Sequence, residues 1–348
     1  MLGGFLGAGK TTTIARLARH YQAQARTVAV VTNDKADDLV DTLNLRAQGL
    51  HVGELPGVCF CGNVDELLGM VDALGMAGRP EVVIAEPVGS CLDVSATVLR
   101  PLEAALGSKV SVAPYGVIVK PVHAAKILRG DENAGVSPKA AYLFRKQLEE
   151  ADFAVVNRAD QLSPAEIDEI VGLLKVQYPE VRTLAMSART GAGFDGLVAE
   201  LERPAGAARR AIEIDYAAYH AGEAELGWLN GNILVSAAAP LVLDDFLLAA
   251  LRGIRARLQT LGAEASHVKL IGLHAGKFAV ANLVSTTLEP ELSQASGCTT
   301  PTLQLIVNAR VGCAPAELRT AVDAGLAEAA TLHGATLDVV EVQCFRPA

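Results

Sequence analysis

Gly4-Phe5-Leu6-Gly7-Ala8-Gly9-Lys10-Thr11-Thr12 decides how this 348-residue chain is read. The stretch fits G-x-x-x-x-G-K-[ST], with Gly4, Gly9, Lys10 and Thr11 at the fixed positions. Such a loop turns backbone N–H groups toward phosphate oxygens, where side chains would crowd the approach. The helix it opens points its positive end at the same anion. Lys10 is placed to reach the β- and γ-phosphates, and the Thr11 hydroxyl to ligate Mg²⁺, while Gly7, Ala8 and Thr12 complete the cradle. A bland glycine turn is the competing reading. Ile14, Leu17, Ala18 and Tyr21 argue against it, because they follow at i, i+3, i+4 and i+7 and give the helix one apolar face.

Only Met1 and Leu2 stand before Gly3, whereas a phosphate loop normally hangs from a buried parallel strand. The first strand is therefore largely missing from the chain as it stands. The expectation is an in-frame apolar run of about five to eight residues encoded upstream of Met1; without it the sheet would have a gap at its centre.

Outward from the loop, residues 27 to about 201 alternate short apolar runs with helical patterns. Strands are expected at Thr27–Val31, His51–Leu55, Glu81–Ala85, Tyr115–Val119, Phe153–Val156 and Arg182–Met186. Most are solid Val/Ile/Leu/Ala runs, as strands covered on both faces should be. Asn63 with Glu66, and Ser163-Pro164 with Glu166, read as helix starts, and Ser137-Pro138 as a cap followed by proline. The alternation predicts an α/β fold: a doubly wound, mostly parallel sheet of the P-loop NTPase kind, with ligands at the carboxyl ends of the strands. This domain is expected over 1–203, followed by a connector over 204–230 in which Trp228 would anchor one domain to the other.

Residues 231–348 read differently, as a smaller ferredoxin-like α/β domain with one extra strand. Strands are expected at Ile233–Ser236, His267–Leu273, Lys277–Val284, Thr302–Asn308 and Thr336–Val342, and helices at Asp244–Leu261 and Pro315–Leu332.

Composition sets limits on partners and setting. Apolar residues make up 51% of the chain and aromatic residues 4%, so Ala, Val and Leu must do the packing. The net charge of −9, with pI near 5.3 and no Lys/Arg stripe, argues against nucleic acid as a partner. Mean hydropathy is +0.30, yet no apolar run approaches the roughly 18 residues of a membrane span. Six cysteines, at 59, 61, 91, 298, 313 and 344, are too unevenly placed for a secreted disulfide scaffold, and a reducing cytosol is the expected setting.

Four further stretches carry chemistry. Asn157-Arg158-Ala159-Asp160 ends a buried strand. A carboxylate at Asp160 can accept two hydrogen bonds from the guanine N1–H and N2–H₂ edge, favouring guanine over adenine by about 3–6 kcal/mol, roughly 10²–10⁴-fold. Ser187-Ala188-Arg189 at the next strand end strengthens that reading. In Glu86-Pro87-Val88-Gly89 the acid is placed to hold the Mg²⁺ shell, and the Gly89 N–H to sense a γ-phosphate. Asp34, in Asn33-Asp34, is placed to approach the Mg²⁺ or an incoming metal. In Gly57-Val58-Cys59-Phe60-Cys61-Gly62 two thiols at i and i+2 can share a soft metal ion. Two ligands do not close a tetrahedral site, so a dimer, Cys91 or His51 would have to supply the rest. Two ordinary buried cysteines are the equal alternative.

Together these motifs resemble the CobW-type GTPases, relatives of the GTPases that mature nickel hydrogenase and urease. Carrying the likeness are Gly-Gly-Phe-Leu-Gly-Ala-Gly-Lys-Thr-Thr, E-x-x-G in place of D-x-x-G, the short cysteine motif, and Lys146-Gln147-Leu148-Glu149-Glu150-Ala151-Asp152 leading into Asn157-Arg158-Ala159-Asp160. The resemblance implies GTP-dependent handling of zinc, cobalt or nickel. By position, Lys10 and Thr11 would serve phosphate and Mg²⁺, Glu86 the Mg²⁺ shell, Asn157 and Asp160 the base, and Cys59 and Cys61 the transported metal, with Zn²⁺ or Co²⁺ favoured. It further implies a client metalloprotein or cofactor-assembly enzyme and a GTP-dependent homodimer. Two departures stand out. Gly62 occupies the place of the third cysteine in the family's C-x-C-C, which draws attention to Cys91, and Arg158 replaces the commoner lysine. A nucleotide-gated client-binding module without metal transport, and a P-loop small-molecule kinase, are the alternatives.

Overall fold

The computed structural model describes residues 1–34, 42, 45–46, 48–56, 60, 66–67, 69–70, 80–107, 110–131, 137–204, 212–215, 217, 219 and 225–346. The chain divides into two compact units, Met1–Ala134 with Pro138–Tyr219, and Gly135–Ser137 with His220–Ala348.

In the first unit the strands are β1 (Leu2–Gly3), β2 (Val28–Asp34), β3 (Val52–Pro56), β4 (Val82–Glu86), β5 (Gly116–Val119), β6 (Phe153–Val156) and β7 (Arg182–Ala185). The helices are α1 (Lys10–Ala23), α2 (Arg100–Leu106), α3 (Pro121–Arg129), α4 (Pro138–Glu150), α5 (Pro164–Gln177) and α6 (Phe194–Leu201). The strands pair in parallel, as β3-β2-β4 and as β1-β5-β6-β7. β1 also lies beside β4, so the two-residue strand stands in the middle of an order 3-2-4-1-5-6-7. Among the described residues, ladder hydrogen bonds link β1 to β5 and not to β4.

Burial explains why these runs are strands. All four residues of β5 and all four of β6 are buried, as both faces are covered. On α1, Ile14, Leu17, Ala18 and Tyr21 enter one core with Val30, Ile84, Ile118 and Val155. α5 begins with the reciprocal cap read from the sequence, the Ser163 N–H donating to Glu166 Oε2 at 2.8 Å and the Glu166 N–H to Ser163 Oγ at 3.3 Å. Asn63 lies outside the described residues. β2 and β4 run on into polar residues where the apolar pattern had suggested a stop. Pairing carries them there, Thr32 opposite Glu86 and Asp34 opposite Pro56.

The second unit orders β8 (Gly227–Val242), α7 (Leu243–Thr260), β9 (Ala265–His274), β10 (Lys277–Leu283), β11 (Glu291–Gln294), β12 (Thr299–Val311), α8 (Pro315–Leu332) and β13 (Ala335–Phe345). Its antiparallel sheet runs β11-β10-β9-β12-β8-β13. The four strands β13-β8-β12-β9 with α7 and α8 form the split β-α-β pattern of a ferredoxin-like domain. Two strands extend it rather than the expected one. β11 gives no strand signal in sequence because Glu-Leu-Ser-Gln has no branched apolar pattern, and it sits at the sheet edge beside an irregularity at Val280/Ala281. β8 begins at Gly227, inside the expected connector, so Trp228 belongs to the sheet. Its ring lies 3.9 Å beneath the Arg310 guanidinium, and both side chains are buried. Phe246, Leu247, Ala250, Leu251, Ile254 and Leu258 of α7 form the expected buried face. Among the described residues no helix is long and apolar enough to cross a membrane.

Candidate nucleotide site

The phosphate loop links β1 to α1, and its glycines are dictated by the protein's own packing. Gly9 has φ +96°, and a Cβ there would come within 2.3 Å of Asn157 Nδ2. Lys10 is buried with its Nζ donating to Gly4 O at 2.8 Å, so the ammonium already lies within the loop. Thr11 Oγ1 donates to Glu86 Oε1 at 3.1 Å. Gly89 approaches the same place, where an added Cβ would stand 2.7 Å from Leu6 Cδ2 and 3.2 Å from Lys10 Nζ. The loop, the β4 carboxylate and Gly89 therefore meet around one point. Thr11 and Glu86 offer it two buried oxygen donors, which suits a hard cation such as Mg²⁺. The backbone of Asp34 closes β2 on the same edge of the sheet.

On the other side of the loop, Asn157 ends β6 as a buried bridge. Its Nδ2 donates to Ala8 O at 2.8 Å, and its Oδ1 accepts from the Ala188 N–H at 2.9 Å. Arg158 takes a left-handed φ of 62° that turns the chain toward Asp160, and its Nη1 donates to Gln161 Oε1 at 3.3 Å. Asp160 is ion-paired with Arg189. Burial pushes the Asp160 carboxyl upward. A hydrogen bond from Ser187, with the hydrogen bond and charge of Arg189, outweighs this and holds the group below the usual carboxylate range. Ser187 is fully buried, its Oγ accepting from the Thr190 N–H at 3.0 Å. The phosphate loop, the Asn157–Asp160 loop and the Ser187–Ala188 turn are thus joined directly.

The cysteine stretch is less defined. Cys59 and Cys61 lie outside the described residues. Phe60 between them is buried, and its N–H donates to Asn33 Oδ1 at 3.1 Å, while Asn33 Nδ2 donates to Leu55 O at 2.8 Å. Asn33 therefore fastens Phe60 to the carboxyl ends of β2 and β3. Cys91 is buried and disulfide-bonded, whereas Cys298, Cys313 and Cys344 are free. His51 is exposed and immediately precedes β3. Among the described residues no set of three His, Cys, Asp or Glu could hold a metal ion.

Three contributors were not singled out from sequence. Arg16 of α1 donates through Nε to Ala188 O at 2.8 Å and through Nη2 to Arg189 O at 2.7 Å, tying the base-side turn to the phosphate-loop helix. Gln147 and Glu150 of α4 hold the segment that follows Gly89. For Gln147 the signal was its place in a stretch running straight into Asn157; a lone arginine on a helix face offers none.

Fold and loop define a P-loop nucleotide-binding domain of the GTPase kind. Residues 1–184 match the family model "CobW/HypB/UreG, nucleotide-binding domain", and the chain belongs to that family. A zinc chaperone, YeiR of Escherichia coli (strain K12), is 29% identical over 172 residues, which is 47% of each chain. The chain thus spans about half the length of the curated relative it matches. Among solved structures, the hydrogenase maturation factor HypB from Archaeoglobus fulgidus aligns at TM-score 0.38 and 17% identity, covering 57% of this chain and 85% of that one. The Zn(II)-bound YjiA GTPase from E. coli aligns at TM-score 0.38 and 15% identity, covering 92% of this chain and 96% of that one. At such scores these alignments add nothing to the topology described above.

Proposed function

We propose that the first unit binds GTP with Mg²⁺ and hydrolyses it slowly, and that the nucleotide state governs whether a transition-metal ion is held or released. The cargo would be zinc or cobalt, delivered to a client metalloprotein or cofactor-assembly enzyme in a reducing cytosol. The observation that carries the reading is Asn157, which joins Ala8 of the phosphate loop to Ala188 of the base-side turn and so makes one site of two motifs about 150 residues apart in sequence.

Each residue has a task in that site. Lys10 and the loop N–H groups bind the β- and γ-phosphates and stabilise the charge that develops during in-line attack by water. Thr11 and Glu86, with Asp34 at the end of β2, would hold Mg²⁺, which when bound neutralises phosphate charge. Asp160 reads guanine, and Arg189 must yield at least part of its hold for the base to pair there. Gly89 senses the γ-phosphate.

For the cargo, Cys59 and Cys61 supply soft thiolates, and Cys91 is the candidate third ligand where Gly62 replaces a cysteine. Cys91 must be reduced to serve, in keeping with a reducing compartment. Zinc as cargo is supported by the zinc chaperone among the relatives. A GTP-dependent homodimer would bring further thiols together.

The test is a chelator-competition titration of Zn²⁺ under reductant, with protein loaded with GTPγS or GDP, alongside competition of GTP and ATP for the site. GTP selectivity with a nucleotide-dependent zinc affinity supports the proposal. GTP selectivity with equal zinc affinity in both states leaves a switch without metal cargo.

A further inference from the structure

Gln147 stands on α4 with its side chain wholly buried, 1% exposed, and aimed at the loop that leaves β4. Its Nε2 donates to two carbonyls at once, Gly89 O at 2.9 Å and Cys91 O at 3.2 Å. Its Oε1 accepts no hydrogen bond from the described residues. One amide group therefore spans the three residues from Gly89 to Cys91, and turning the Gly89 carbonyl away breaks the first of these bonds. One turn further on, Glu150 Oε1 accepts from the Ser95 N–H, fixing the far end of the same segment.

The helix that carries both side chains is itself tied to the sheet. Just past its end the Asp152 N–H donates to Tyr115 O at 2.9 Å, and Asp152 Oδ2 accepts from the Tyr115 N–H at 2.7 Å. The chain then enters β6 and Asn157. Gly89 meanwhile abuts Lys10 of the phosphate loop. Gln147 thus ties together a residue that touches the phosphate loop and a buried cysteine two residues later.

We infer that Gln147 is a positioning residue: it fixes the Gly89 peptide for γ-phosphate sensing and makes Cys91 move with it. The inference deepens the proposed function and rests on its reading of Gly89. It concerns orientation alone, since Gln147 has no place among the groups that would touch nucleotide.

The experiment measures GDP and GTPγS affinities of the full chain, wild type, Gln147→Met and Gln147→Asn, under reductant and well below their melting temperatures, with Zn²⁺ affinity in each state. Met keeps the length and removes the donors; Asn keeps the amide one methylene short. Gln147→Met is expected to bind GDP within about twofold of wild type and to lose about tenfold of the preference for GTPγS over GDP. Zinc affinity should become the same in both states, with Gln147→Asn in between. An unchanged preference overturns the inference, as does an equal weakening of both nucleotides together with a lower Tm, which marks a structural role only. If Gln147→Met does not fold, the preference measured in Gln147→Asn decides in the same way. A wild-type protein that does not distinguish GTPγS from GDP overturns the reading of Gly89 and this inference together. A wild-type preference that falls in Gln147→Met, with zinc affinity indifferent to nucleotide throughout, supports the positioning role and overturns only the metal cargo.

Discussion

Thr11, in the first turn of α1, donates its hydroxyl to the carboxylate of Glu86 at the end of β4, 3.1 Å away and 75 residues later in the chain. Both are buried, and both belong to different motifs that the sheet brings together. The pairing makes a two-sided cation site the economical reading. Thr11→Ala should reduce the Mg²⁺-dependent gain in GTP affinity by at least about tenfold, and Glu86→Gln should lower hydrolysis by roughly 10²-fold while leaving GDP affinity nearly unchanged. Titrations of a fluorescent GTP analogue with and without Mg²⁺, and phosphate-release assays, check the two halves separately.

Asp160 should set the choice of base. Asp160→Ala is expected to lower GTP affinity by roughly 10²–10⁴-fold and leave ATP affinity within about threefold. Arg189→Ala, which removes the guanidinium paired with Asp160, should raise GTP affinity by a few-fold. Competition binding with GTP and ATP reads both. Parallel loss of the two nucleotides in Asp160→Ala would show that the carboxylate is structural.

Asn157→Ala removes a donor from Ala8 O and an acceptor from the Ala188 N–H in a buried setting. Each orphaned group costs about 1–3 kcal/mol. The variant should therefore melt several degrees lower and also lose GDP affinity, because the phosphate and base halves are no longer braced together. Thermal melts with and without GDP test this, since the ligand-induced rise in Tm should shrink along with the Tm itself.

Glu150 gives the protein a pH-dependent weakness. Burial is the main cause that pushes its carboxyl up from 4.5 to about 7; the nearby charge of Asp93 adds to this, and hydrogen bonds from Ser95 and the Asp93 backbone oppose it. The folded state thus prefers the protonated acid. Its contribution is fully present below about pH 4.5 and is lost as pH rises toward 7. Glu150→Gln can still accept from the Ser95 N–H and carries no charge. It should be more stable than wild type by about 3 kcal/mol at pH 8, with the difference vanishing near pH 4.5. Denaturant melts across that range measure it, and a constant difference at all pH values would contradict burial of the charged carboxylate as the cause.

Much of this was legible in the chain because the motifs sit at strand ends that the apolar runs mark. The solid runs around Val30, Ile118 and Val155 fixed where β2, β5 and β6 fall, and hence which loops share an edge of the sheet. What escaped the sequence was held by single side chains. Arg16 looks like any polar residue on an amphipathic helix, and Gln147, though its stretch stands out, shows its contacts with Gly89 and Cys91 only once the fold turns it inward. β11 escaped because edge pairing, not side-chain pattern, makes Glu291–Gln294 a strand. β8 starts earlier than its apolar run because Asn230, Gly231 and Asn232 interrupt the pattern after Trp228.

Coupling between nucleotide and metal is tested most sharply by the Zn²⁺ affinity of the reduced chain, measured by chelator competition once with GTPγS bound and once with GDP. A difference of at least about tenfold between the states is expected, abolished in the Cys59→Ala/Cys61→Ala variant. Equal affinities in the two states, or a difference that survives loss of both cysteines, would contradict that coupling.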